Sequence, residues 1–109
     1  MENDATGFPN LITIPMINGM LNEWECEFVG YSGSVCACPI ATLLKKRYGN
    51  DVSVCYTEVS FLAQGGTRSP IVRLDGPLSV VIMDIDSHFE GAEVPTAWLK
   101  SRLAIEVER

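Results

Sequence analysis

The sequence predicts an α+β domain: a largely antiparallel five-stranded sheet, with room for one parallel pair, carrying two helices on one face. Three observations carry that prediction. Residues Met20 to Val29 alternate, with Trp24, Cys26 and Phe28 on one side and Glu23, Glu25 and Glu27 on the other, the period of a half-buried strand. Residues 39–48 place Ile40, Leu43, Leu44 and Tyr48 at helical spacing between Pro39 and Gly49, the residue types favoured at a helix start and just past its end. The dipeptides Asn18-Gly19 and Asp75-Gly76 sit between strand-forming runs, where hairpin turns belong.

In chain order, the first strand spans Leu11 to Ile17, with Pro15 marking an edge or a bulge. Asn18-Gly19 turns it into the alternating partner strand, and residues 30–34 loop away from that strand. The helix of 39–48 ends in Lys45, Lys46 and Arg47, cations that complement the negative end of the helix dipole. A second long strand follows from Val52 to about Ala63, and residues 64–67 read as a turn. Ile71–Leu74 and Leu78–Asp86 form two further strands around Asp75-Gly76-Pro77. A last helix, entered through Pro95, runs from Thr96 to about Val107 with Trp98, Leu99 and Leu103 on its core side. The order is β-β-α-β-β-β-α, and the first helix supplies a crossover that would make one strand pair parallel.

The 109 residues fit a single domain, 1–109, with residues 1–9 as a flexible arm. A hydrophobic share of 47% against 20% charged points to a folded globule. With 14 Asp+Glu against 8 Lys+Arg, the chain is a poor match for nucleic acid or an anionic membrane, both of which call for a basic surface. No apolar run approaches the ~20 residues a bilayer demands, and no basic segment followed by an apolar one marks a secretory signal. A cytoplasmic location is therefore expected, where the four cysteines read as thiols rather than disulfides. Glycine motifs for phosphate loops, dinucleotides and nucleophile elbows are missing from the sequence, so no cofactor is expected.

Four constellations are candidate sites. Cys38 sits at the predicted N-cap, where unpaired N–H groups and the helix dipole favour a thiolate, with Cys36 as resolving neighbour and His88 as the one imidazole in the chain. The plainer role for the pair is a small cap and a loop or core residue. Asp84, Asp86, His88 and Glu90 occupy alternate positions, and Asp84, Asp86 and His88 are candidate metal ligands if that stretch is a strand; an acidic solvent-facing strand would look the same. Cys26, Cys36, Cys38 and Cys55 lack the paired spacing of a zinc knuckle. Glu23, Glu25 and Glu27, with Trp24, form an acidic ladder that suits a cationic partner, or that simply keeps a strand soluble.

The run from Cys38 through Leu44, followed by a basic turn, Gly49 and Val52-Ser53-Val54, resembles a pattern in small uncharacterised proteins of phages and other mobile elements. It covers about residues 38–56. The resemblance implies an accessory protein of a mobile element and brings no site residues with it. The expected function is a small non-catalytic binding or interaction protein, a homo-oligomer that takes a protein partner or a small apolar ligand, with Trp24, Tyr31, Phe61 and Trp98 as aromatic anchors. Two alternatives stand beside it. One is a thiol-dependent enzyme or redox sensor built on Cys38; the other is an acidic decoy for a basic protein.

Overall fold

The computed structural model describes residues 10–34, 36–49, 51–62 and 68–108. The expected arm at 1–9 and turn at 64–67 lie outside the described residues. Ten elements follow in order: β1 (Leu11–Ile12), α1 (Ile14–Asn22), β2 (Phe28–Tyr31), α2 (Pro39–Tyr48), β3 (Asp51–Val54), β4 (Glu58–Leu62), β5 (Arg68–Leu74), α3 (Gly76–Phe89), β6 (Glu93–Pro95) and α4 (Thr96–Val107). The class is α+β, as expected, but the architecture differs. A mixed four-stranded sheet of order β1-β5-β4-β3 and a separate antiparallel pair, β2-β6, stand where one five-stranded sheet was expected. The parallel pair is β1 with β5.

The difference comes from two segments that are helices instead of strands. In the first, Thr13 caps α1, its hydroxyl accepting from the Met16 N–H at 3.5 Å, and Pro15 sits in the first turn. Ile14, Ile17 and Leu21 then fall on one buried stripe. Burying three such side chains contributes about 1.5–3 kcal/mol each, while Gly19 inside a helix costs only about 1 kcal/mol relative to Ala. Burial outweighs the turn preference of Asn18-Gly19. In the second, Asp75-Gly76-Pro77 opens α3, and Leu78, Val81, Ile82 and Ile85 form its buried face. That is the 3.6-residue period, and it overrides the alternation of acidic groups from Asp84 onward.

α2 and α4 lie where the sequence placed them, and Gly49 closes α2 in the left-handed conformation at φ 75°. The expected long strand from Val52 is a hairpin: β3 and β4 are joined by Cys55–Thr57, with the Cys55 N–H donating to the Glu58 carbonyl at 2.9 Å. Across the sheet Val54 faces Val59, Val52 faces Phe61, Val59 faces Val72, and Ile12 faces Leu74. All of these are buried, so one face of the sheet meets the helical layer. The alternate positions Leu11, Ser53, Ser60, Ile71 and Arg73 are exposed or half-buried and make up an open face. α1 packs between α2 and α4, and α3 rests on α4.

One close approach ties the small strand pair to the helical layer. A Cβ on Gly30 would lie 2.5 Å from the Ala37 carbonyl oxygen and 2.8 Å from the Cys38 carbonyl carbon, and Gly30 has φ 80°. Only glycine meets both conditions. The contact is stitched by the Tyr31 N–H donating to the Ala37 carbonyl at 2.8 Å and the Cys38 N–H donating to the Ser34 carbonyl at 2.9 Å. We expect Gly30→Ala to lower stability in urea unfolding by about 3 kcal/mol, from left-handed strain and overpacking together. Gly19→Ala, with nothing within 4 Å of its Cβ, should raise stability by up to about 1 kcal/mol. A Gly19→Ala variant that destabilises would instead signal the hairpin turn.

Candidate functional site

Cys38 occupies the N-cap of α2 with extended backbone, and its Sγ accepts from the Ala41 N–H at 3.5 Å. Its side chain is 6% exposed. Burial pushes the thiol above its usual range, and it outweighs the lowering by the Ala41 and Ile40 N–H groups; the charge of Asp86 and the neighbouring Cys36 push the same way. At neutral pH this is a capping thiol and not a thiolate. Cys36 is exposed in the turn before it. His88 is exposed on α3, its ring 5.3 Å from that of Trp98 and 5.7 Å from that of Phe89. Residues two apart on a helix project about 200° from each other. Asp86 and Cys38 line the same cavity, so His88 is directed away from the thiol.

The acidic positions of α3 are dispersed by the same winding. Asp84 accepts from the Arg102 guanidinium at 2.7 Å, and Arg102 also donates to Glu106 at 2.6 Å. Asp86 instead accepts from the Gly33 N–H and the Tyr56 hydroxyl, each at 2.8 Å. Among the described residues no three His, Cys, Asp or Glu side chains converge as a metal site. That statement covers both the Asp84–Asp86–His88 set and the four cysteines.

The acidic ladder is not assembled, because α1 continues to Asn22 and β2 begins only at Phe28. Glu23 is the C-cap of α1, and Glu25 and Glu27 are exposed in the connection. Cys26 and Phe28, expected inside, are exposed. Trp24 is half-buried, donates from Nε1 to the Phe28 carbonyl at 3.0 Å and carries the Lys46 ammonium 5.1 Å from its ring centroid.

Two concavities stand out among the described residues. The larger, of about 510 Å³, is a groove between α1 and α2. Met16 and Met20, one helical turn apart on α1, face Leu43 and Tyr48 of α2 across it, and Glu23, Lys46 and Arg47 stand in its lining. The smaller, of about 240 Å³, lies at the start of α2, where Cys38, Val54 and Ile82 meet Tyr56 and Asp86. No family model, curated protein or solved structure matches the chain. The arrangement itself therefore carries the functional reading. Sequence reasoning missed the groove because the expected Asn18-Gly19 hairpin puts Met16 and Met20 on two different strands, whereas the helix signalled by Thr13 and Pro15 stacks them one turn apart. It had no signal for the Tyr56–Asp86 pair, which is 30 residues apart.

The buried thiol sets a pH dependence. The unfolded chain loses the Cys38 proton near its free value of about 8.5, while the folded chain holds it to higher pH. Above that value the native state binds more protons than the unfolded state, so stability falls as pH rises. Tyr56, raised by its hydrogen bond to Asp86, contributes the same sign at still higher pH. Comparison with Cys38→Ser, which keeps a capping atom, isolates the thiol. From about pH 8.5 upward the parent should lose up to about 1.4 kcal/mol per pH unit more than the Ser variant in urea unfolding.

Proposed function

We propose that this chain is a non-catalytic binding protein whose ligand is a small amphipathic anion, its apolar part in the α1–α2 groove and its charge at Lys46 and Arg47. The observation that carries the reading is the coincidence of the groove with Lys46 and Arg47, part of the one compact basic run in a chain of net charge −6. A volume of about 510 Å³ falls in the range of small-molecule sites. Met16 and Met20 offer adaptable, polarisable walls for an apolar tail. Lys46 and Arg47 are exposed and form no ion pair among the described residues, and against Glu23 they leave the rim with one net positive charge.

The same features weigh against the alternatives. A thiol enzyme needs an accessible thiolate and a base; Cys38 is capped and buried, and His88 is directed elsewhere. An acidic decoy needs an ordered array of carboxylates, and Glu23, Glu25 and Glu27 belong to a helix cap and a loop. The likeness of residues 38–56 to small phage proteins assigns no site, so an accessory role in a mobile element is a proposal about context and not about chemistry.

Calorimetric titration with decanoate, kept below micelle formation, tests the reading against decyltrimethylammonium as the matched cation. One saturable site for decanoate is expected. It should weaken with salt and weaken at least tenfold, about 1.4 kcal/mol, in the double variant Lys46→Glu/Arg47→Glu. Equal binding of the cation, or an unchanged affinity in the double variant, would contradict it.

A further inference from the structure

We infer that the cavity at the start of α2 is a second, separate binding site, and that its ligand is a small protonated alkylamine held by Asp86. The cavity is about 240 Å³, below the size of drug-sized sites, and Cys38, Val54 and Ile82 give it buried apolar walls. One full charge faces this space. The Asp86 carboxylate is fixed at both oxygens, one by the Gly33 N–H and the other by the Tyr56 hydroxyl. Ionised carboxylates have about four acceptor positions, so each oxygen retains capacity for a further donor. No Lys, Arg or His lies within salt-bridge distance of Asp86 among the described residues. The group is thus a pre-positioned acceptor beside apolar walls, without a counter-ion.

The Tyr56 ring supports the same sign. It lines the cavity and is 47% exposed, so its face is open to a cation arriving from solvent. The N-terminus of α2 offers the opposing preference, since its dipole favours an anion with roughly half a charge. Its unpaired donors are largely used up, however: the Cys38 N–H donates to the Ser34 carbonyl, Pro39 has no N–H, and the Ala41 N–H donates to Cys38 Sγ. A full negative charge at Asp86 outweighs what is left of the dipole, and the net charge of −6 adds to the attraction for cations. The short alkyl chain is specified by the apolar walls and the small volume.

The test is a titration of the full chain with n-butylammonium, read from amide proton–nitrogen spectra at constant ionic strength, with n-butanol and n-butyrate as neutral and anionic isosteres. Saturable shifts confined to Gly33, Cys38, Tyr56, Ile82 and their neighbours are expected for the amine alone. Asp86→Asn keeps a polar partner for Gly33 and Tyr56 and should weaken the amine at least tenfold. Tyr56→Phe keeps the ring and releases a carboxylate lone pair, so it should bind at least as well as the parent. Butanol matching the amine, shifts appearing at Met16, Met20 and Leu43 instead, or no saturation would each overturn the inference. The three-ligand comparison on the unmutated chain decides the matter even if Asp86→Asn does not fold. It is independent of decanoate binding in the groove.

Discussion

The contact on which the arrangement turns is the one between the Gly30 backbone and the first residues of α2. Because no side chain intervenes, β2 runs directly against Ala37 and Cys38. The connection from β2 to α2 is thereby folded into a tight arch, which sets Cys38 as the cap of the helix and directs the Gly33 N–H at Asp86. On its other edge β2 pairs with β6, and Thr96 at the start of α4 is tied back through its N–H to the Glu27 carbonyl and through its hydroxyl to the Cys26 carbonyl, each at 2.8 Å. With α2 and α4 so placed, α1 packs against both. The groove and the smaller cavity are the spaces left along α2, one beside α1 and one at its N-terminus.

Electrostatics divides these spaces by sign. The thiol at the helix start is where dipole physics alone would create a nucleophile, and the fold overrules it by burial. A helix terminus offers a fraction of a charge, whereas desolvation penalises a full one. What reaches solvent instead is a pair of cations at the groove and a carboxylate in the small cavity. Both places combine apolar walls with a charge, the composition of binding sites.

Much of the local chemistry was legible in the sequence, and the global arrangement was not. The cap at Cys38, the terminal glycine at Gly49 and the core stripe of α2 could all be read, because cap and period pointed the same way. At Asn18-Gly19 and Asp75-Gly76-Pro77 the local signal has two meanings, a hairpin turn or a helix interior and helix start. Tertiary burial of Ile17, Leu21, Val81 and Ile85 chose the helix in both cases. With α3 a helix, the alternation of Asp84, Asp86 and His88 lost its meaning, since a period of two has no common face on a helix, and with α1 running to Asn22 the residues Glu23, Glu25 and Glu27 fall in a cap and a connection instead of a strand. The partners of Asp86 lie 30 and 53 residues away, and no local pattern encodes a contact at that separation.

In the proposed binding role the helix-start thiol is structural. The most direct measurement is the rate of iodoacetamide labelling of each cysteine in the native protein across pH, resolved by peptide mass spectrometry. Cys38 is expected to label far more slowly than exposed Cys26, Cys36 and Cys55, and to react only as the chain unfolds. Rapid labelling of native Cys38 with a midpoint well below the free-thiol value of about 8.5 would contradict it and return the thiol to the centre of the function.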